Sequence, residues 1–337
     1  MQLGGPGFDV VERVRDAIVR HRMLDKGDTI VVALSGGPDS TCLLDVLSRL
    51  TDTFDLDLAI AHVDHGLAED SADIAATVTT RAAEAGHDVH FLRAPDLTGS
   101  NLQERARTFR YGFLETIAND IGATKIATGH TLDDRVETTL ARLIHGAGTR
   151  GLAGLLPFDG NRIRPLVTIR RAETRAYCMK RELEFFDDPA NNDDRFERVA
   201  IRRRLVGAIE DRWGRGAVDA VATSAERLIE DAVTLDGLAD TLFEQLARRE
   251  DSSTSFDRPA LNGIPRAFRR RLLERAVGRK KDRSAGIDEV LDAIDKGVSA
   301  TGTFAVAGGT RITVSPEIVV VEESDGDASQ TPTTLER

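Results

Sequence analysis

A doubly wound parallel α/β sheet, followed by a mainly helical part with a short β-hairpin, is the fold this sequence predicts. Three observations carry it. Over roughly the first 150 residues, short apolar runs alternate with segments of helical periodicity. The apolar runs are continuous, as in strands buried on both faces and separated by helices. The alternation then stops at the Gly-rich stretch "HGAGTRGLAGLLP", residues 145–157.

Each element follows in order. Residues 8–21 place Val10, Val14 and Ile18 at helical spacing, and 29–34 form an apolar strand. A helix is expected over 39–50, a strand over 56–63, a helix over 71–85 and a short strand over 88–92. A helix with a capping start covers 101–119, a strand 124–128 and a helix 133–144. Beyond the Gly-rich stretch, 196–213 reads as a basic helix, 218–248 as a long helix, and 266–277 and 287–296 as shorter ones. Residues 302–321 alternate around "AGGTR" and read as a hairpin. The expected domains are 1–215, carrying the sheet, and 216–322, with an acidic disordered tail at 323–337.

Composition bounds the chemistry. The chain has 337 residues, enough for two domains. No apolar run is long enough to span a membrane, and Cys42 and Cys178 make neither a metal spacing nor a disulfide framework, so a cytoplasmic protein without a membrane partner is expected. The net charge of −11 by itself disfavours a polyanionic partner. Its distribution points the other way. Nine bases lie between Arg266 and Arg283, among them Arg269 and Arg270, and Arg202, Arg203 and Arg204 form a second island. Such runs can also be solvated helix faces.

Three polar clusters fall at strand ends, where open α/β sheets bind ligands. In Ser35-Gly36-Gly37-Pro38-Asp39-Ser40, strand, Gly-rich turn and helix give the geometry that holds phosphate: glycine permits close approach, and the helix start offers unpaired N–H groups. No lysine follows the glycines, so this is not a Walker A loop. The serine hydroxyls and backbone N–H groups suit a leaving pyrophosphate, and Asp39 suits Mg²⁺. At the second strand end, His62, Asp64 and His65 could be metal ligands, but successive strand residues face opposite ways, and a polar strand end beside the nucleotide is the better reading. In "GHTLDDRVETTLARL", His130, Asp134 and Glu137 recur at i, i+4 and i+7, and Asp133 joins Glu137 at i+4. An acidic first turn is also ordinary helix design. Beside a phosphate loop, these carboxylates could hold a cationic substrate or Mg²⁺.

The phosphate loop resembles the PP-loop of N-type ATP pyrophosphatases. SGGPDS, HVDHGL, RARTFRYGFL, GHTLDDRVET, RLIHGAGTRGL, IRPL and DDPANNDDRFERVAIRRRL occur in that order, and together they look like the tRNA(Ile)-lysidine synthetase family over about residues 28–205. Three positions depart from the family's usual pattern: Ala68 and His145 stand where it commonly has Arg, and Val199 where it has Asn. The resemblance implies a PP-loop catalytic domain and a small C-terminal tRNA-binding domain. It implies that ATP adenylates the C2 carbonyl oxygen of the wobble cytidine of a tRNA(Ile) with a CAU anticodon, and that free lysine then displaces AMP through its ε-amine. By position it assigns Ser35, Gly36, Gly37, Pro38, Asp39, Ser40 and His62 to ATP, and Asp39 to Mg²⁺. It puts His130 and Asp133 at the reacting centre with Asp39, and Asp134 and Glu137 on lysine. Arg107, Arg110, Arg202, Arg203, Arg269 and Arg270 are expected on tRNA, and homodimerisation stays open. The rival readings are a tRNA thiolation enzyme, an amide-forming synthetase with the same loop, and a non-catalytic adenine-nucleotide-binding module. The first commonly needs paired cysteines, and the chain has no C-x-x-C.

Overall fold

The computed structural model describes residues 7–64, 71–94, 102–187, 197–278, 286–297, 299–306 and 309–323. His65, Ala68, the four bases at 279–283 and the tail beyond 323 lie outside the described residues. The chain divides into two compact units, Met1–Ile229 and Glu230–Arg337.

The first unit is built from α1 (Phe8–Arg20), β1 (Thr29–Ala33), α2 (Pro38–Phe54), β2 (Asp57–Asp64), α3 (Ser71–Glu84), β3 (Asp88–Arg93), α4 (Leu102–Asp120), β4 (Lys125–Ala127) and α5 (Leu132–Ile144). A short α6 (Thr149–Leu152), the strands β5 (Phe158–Asp159) and β6 (Arg162–Ile163), and α7 (Arg171–Lys180) follow. Next come α8 (Glu197–Ala200), a π-helical stretch Ile201–Val206 and α9 (Gly207–Trp213). The sequence reading of one uninterrupted basic helix there is corrected by this π-helical insertion.

The sheet has the order β3-β2-β1-β4-β6-β5, parallel except for the β5–β6 pair. The chain runs outward from β1 through β2 to β3, then returns by α4 to lay β4 on the other side of β1. That reversal opens a crevice beyond the carboxyl ends of β1 and β4. The continuous apolar character of β1 has a direct cause. Ile30 and Val32 enter the core formed with α1, α2 and α7, while Val31 enters the opposite core with Tyr111, Leu114 and Ala118 of α4.

α10 (Arg215–Leu246) contains the division between the units. The second unit holds β7 (Ala247–Glu250), β8 (Ser253–Asp257), α11 (Arg258–Asn262), α12 (Arg266–Val277), α13 (Ile287–Asp295), β9 (Gly302–Ala305), β10 (Thr310–Val314) and β11 (Ile318–Glu323). Its sheet is antiparallel, in the order β7-β8-β11-β10-β9. The expected hairpin is thus part of a five-stranded sheet, and the expected helix over 218–248 gives way to a strand at Ala247. Phe256, Ile312, Val314, Val319 and Val321 pack on Leu272 and Leu273 of α12 and Val290 and Leu291 of α13. No helix among the described residues is long and apolar enough to cross a membrane.

The basic run of the second unit is largely matched by acid. Arg269 is buried and pairs with Asp295 at 2.7 Å, Arg270 lies 3.0 Å from Asp288, Arg271 3.2 Å from Asp236, and Arg266 2.6 Å from Asp292. A phosphate could reach Arg269 only by displacing Asp295. Arg269→Ala leaves the Asp295 carboxylate short of a partner and removes a buried stem, so it should cost about 1–3 kcal/mol. The check is thermal unfolding by circular dichroism, in which the midpoint should fall by several degrees.

Candidate active site

The loop after β1 is shaped by its own small residues. Gly36 sits at φ +84°, a left-handed conformation that a side chain would strain, and a Cβ there would meet Val78 Cγ2 at 2.8 Å. Ser40 Oγ donates to the Gly37 carbonyl (3.0 Å) and accepts from Ser35 N–H (3.1 Å). With that proton so used, Ser35 Oγ is the donor in its 3.1 Å contact with Ser40 Oγ. Gly37 is the N-cap of α2 and supplies no capping side chain, and Pro38 opens the helix. The first-turn N–H groups of a 17-residue helix therefore face the loop without a side-chain acceptor. Gly129, after β4, lies against the same turn: a Cβ there would stand 3.1 Å from both Asp39 C and Ser40 N. Gly129→Ala should push the loop off its geometry and weaken ATP binding about tenfold or more while leaving the fold intact. Nucleotide titration beside a circular dichroism spectrum decides this.

His62 is buried, and its Nδ1 lies 2.7 Å from the Leu34 carbonyl. A carbonyl only accepts, so Nδ1 carries the proton. Burial lowers the imidazole's pKa against the Leu34 carbonyl and Asp64, and the ring stacks on Phe91 at 6.0 Å between centroids. The structure therefore sets His62 as a tie between the end of β2 and the start of the loop.

The second wall is α5. Thr131 is its N-cap, in a reciprocal capping box with Asp134: Thr131 N donates to Asp134 Oδ2 at 2.8 Å. His130 therefore stands one residue outside the helix rather than on its face. Its Nδ1 lies 2.9 Å from Thr128 Oγ1, and burial drives its pKa down against the pull of Asp134. His130 is thus neutral near pH 7. Asp133 Oδ2 accepts the backbone N–H of Arg171 at 2.7 Å and so fixes the first residue of α7.

Arg171 joins the two walls. Its guanidinium lies 2.9 Å from Asp134 Oδ1, 3.1 Å from Glu137 Oε1 and 3.5 Å from Asp39 Oδ2. Glu137, with a side chain only 1% exposed, also pairs with Arg202 at 2.6 Å and Arg198 at 3.7 Å. Burial would raise Asp134, yet Arg171, Arg198 and His130 hold it well below the usual carboxylate range. Asp39 goes the other way. Burial pushes it up to about 6 against a hydrogen bond from the Thr174 hydroxyl and the charge of Arg171, with Asp134 and Asp133 adding to the rise. Sequence reasoning missed Arg171 and Thr174. The available signal was electrostatic: a carboxylate buried on a helix face requires a buried cation, and "IRRAETR" at 169–175 is an unassigned basic stretch that could supply it.

The Asp39 shift sets a pH dependence. Its folded pKa lies above the unfolded value, so its contribution favours folding below about pH 4 and is lost as pH rises through about 6. Asp39→Asn should therefore raise the thermal midpoint at pH 7.5 while reducing ATP turnover about 10²–10³-fold. Melting curves at about pH 4 and 7.5 should show the larger gain at the higher pH.

A cationic cluster flanks this site. The guanidinium centres of Arg107, Arg110 and Arg162 lie 4.9, 5.6 and 4.5 Å from the Tyr111 ring centroid. Burial lowers the pKa of Arg110, and Arg107 and Arg198 add to it. Tyr111 Oη and Arg164 Nε are buried without a hydrogen-bond partner. Arg203 is exposed, and His145, in the place of an expected Arg, lies 2.7 Å from Glu197. Val199 is buried.

Fold and loop define a class: the PP-loop domain family matches residues 10–209. A 35% identical relative from Thermobifida fusca, described as a tRNA(Ile)-lysidine synthase, aligns over 79% of this chain and 82% of its own length. This chain belongs to the tRNA(Ile)-lysidine synthase family. Relatives of the same description from Caldanaerobacter subterraneus subsp. tengcongensis and Symbiobacterium thermophilum are 31% and 36% identical over 87% of this chain, which spans 65% and 64% of their lengths. Among solved structures, the U34-tRNA thiolase NcsA from Methanococcus maripaludis, with its 4Fe-4S cluster, shares the fold at a TM-score of 0.55 and 21% identity, over 66% of this chain and 79% of that one.

Proposed function

We propose that this chain uses ATP to adenylate the C2 carbonyl oxygen of the wobble cytidine of a CAU-anticodon tRNA(Ile) and joins free lysine to that carbon. The oxygen attacks the α-phosphorus and pyrophosphate leaves. The lysine ε-amine then attacks C2, loses a proton, and expels AMP with the original oxygen. The activation is chemically necessary, because a ring carbonyl oxygen leaves poorly and AMP leaves well.

The observation that carries the reading is the carboxylate pair, Asp134 and Glu137, facing the PP-loop across Arg171. A phosphate loop alone serves any ATP pyrophosphatase. A pair of buried carboxylates beside it suits a cationic amino acid as second substrate. In this reading Ser35 to Ser40 cradle the nucleotide, and Asp134 and Glu137 hold lysine through its positive charge. His130, kept neutral, and Asp133 stand at the reacting centre. Arg107 and Arg110 meet the RNA backbone, with Arg203 as a further contact.

The residues also fit Mg²⁺. Asp39 offers one carboxylate at the start of α2, and among the described residues no three ligand side chains form a protein cage. Mg²⁺ commonly binds one or two carboxylates together with substrate phosphates. Held there, it would neutralise charge on the leaving pyrophosphate. A sulfur-transfer reading is disfavoured by the cysteines. Cys42 and Cys178 are both buried, and burial pushes the Cys178 thiol up to about 12, so neither is a ready thiolate.

The test is pyrophosphate and AMP release from ATP with tRNA(Ile). AMP release should require lysine, and no other amino acid should replace it. Asp134→Asn can keep the helix cap while losing the charge, and should raise the lysine concentration needed at least about tenfold with little change for ATP. A variant whose ATP requirement rises instead would place this carboxylate on the metal.

A further inference from the structure

Arg171 occupies the space that a bound ammonium group would need. Two of its nitrogens lie 2.9 and 3.1 Å from Asp134 Oδ1 and Glu137 Oε1, the distances an amine would adopt. These two carboxylates cannot take a substrate cation while the guanidinium stays. Nor does Glu137 need Arg171, since Arg202 remains 2.6 Å from it. The third contact shows where the guanidinium can go. Its Nε is 3.5 Å from Asp39, the second residue of α2, whose uncapped N-terminus faces the phosphate loop. The backbone of Arg171 is held by Asp133, so side-chain rotation alone would carry the charge from the carboxylates to an anion on the loop.

We propose that Arg171 is a placeholder cation that couples the two substrate seats. It fills the seat between Asp134 and Glu137 when the phosphate loop is empty, and turns onto the polyphosphate of bound ATP, opening that seat to lysine. The inference rests on the assignment of lysine to Asp134 and Glu137. Its consequence is order: lysine binds well only after nucleotide, so the free amino acid does not sit in an enzyme that cannot yet adenylate its tRNA. A site whose competent state is scarcely populated binds with an affinity reduced by that fraction, and a first ligand that populates it restores the affinity. Such coupling is reciprocal, so lysine must tighten nucleotide by the same factor.

The experiment is calorimetric titration of lysine into the full chain with saturating tRNA(Ile), with and without Mg²⁺ and α,β-methylene ATP. In the wild type the analogue should tighten lysine at least about tenfold, within the usual range of such couplings. Arg171→Met should bind lysine without the analogue better than wild type does, and the effect of the analogue should shrink to about twofold or less. A merely structural role for Arg171 would lower the melting midpoint and leave the ratio of the two affinities unchanged. Equal wild-type affinities with and without analogue, or a full analogue effect in Arg171→Met, overturn the proposal while leaving the lysine assignment standing. Absence of lysine binding to the wild type under every condition overturns both. If Arg171→Met does not fold, Arg171→Gln decides: it keeps a polar side chain but carries no charge, so the coupling must fall, and wild-type coupling in that variant overturns the proposal.

Discussion

The guanidinium of Arg171, set among Asp39, Asp134 and Glu137, is the interaction on which the rest of this site depends. Those carboxylates come from the helix starts that follow β1 and β4, the strands between which the sheet reverses direction. Three carboxylates in a partly buried crevice would repel one another and resist ionisation without a cation between them. The cation arrives from α7, whose first N–H is held by a fourth carboxylate, Asp133. The acidic end of α5 thus positions the base that neutralises it.

That arrangement divides the acids by role. Asp134, ringed by arginines and tied into its own helix cap, is held in its ionised form. Asp39, with Arg171 farther away and a hydroxyl donor as its closest partner, stays near the edge of protonation. An incoming phosphate-bound cation would find a carboxylate whose ionisation it can itself complete, whereas Asp134 is already charged. Pairs of acids driven apart by their surroundings mark sites where two different tasks are done side by side.

An acidic protein proposed to act on RNA must separate its charges. Near the active site, Arg107, Arg110 and Arg162 crowd one aromatic ring, and the buried Arg164 carries a nitrogen without an acceptor. In the second unit each described arginine of α12 lies against an aspartate of the same unit. A run of bases in the sequence is therefore a weak sign of an anion site, because folding decides which of them an acid already holds.

The sequence alone determined the parallel sheet, the phosphate loop and the acidic helix, because each is written in local terms. Continuous apolar runs can be stable only between two covering layers, and SGGPDS requires a glycine at positive φ before a helix. The small sheet of the second unit was illegible beyond residues 302–321. Ala-Arg-Arg-Glu at β7 has no apolar alternation, and Ser-Thr-Ser-Phe-Asp at β8 has one large apolar residue, Phe256, which becomes a strand anchor only against Phe243 and the β11 partner Val319. The sequence could name Asp39, Asp134 and Glu137 as a set but not Arg171, which lies 34 residues beyond Glu137 in an unremarkable basic stretch. Its part is decided by the docking of α7 against α2 and α5. Tertiary structure alone chooses which of many arginines a buried carboxylate keeps, because that choice is made by distance in space and by exclusion of water, and neither is encoded at any one position of the chain.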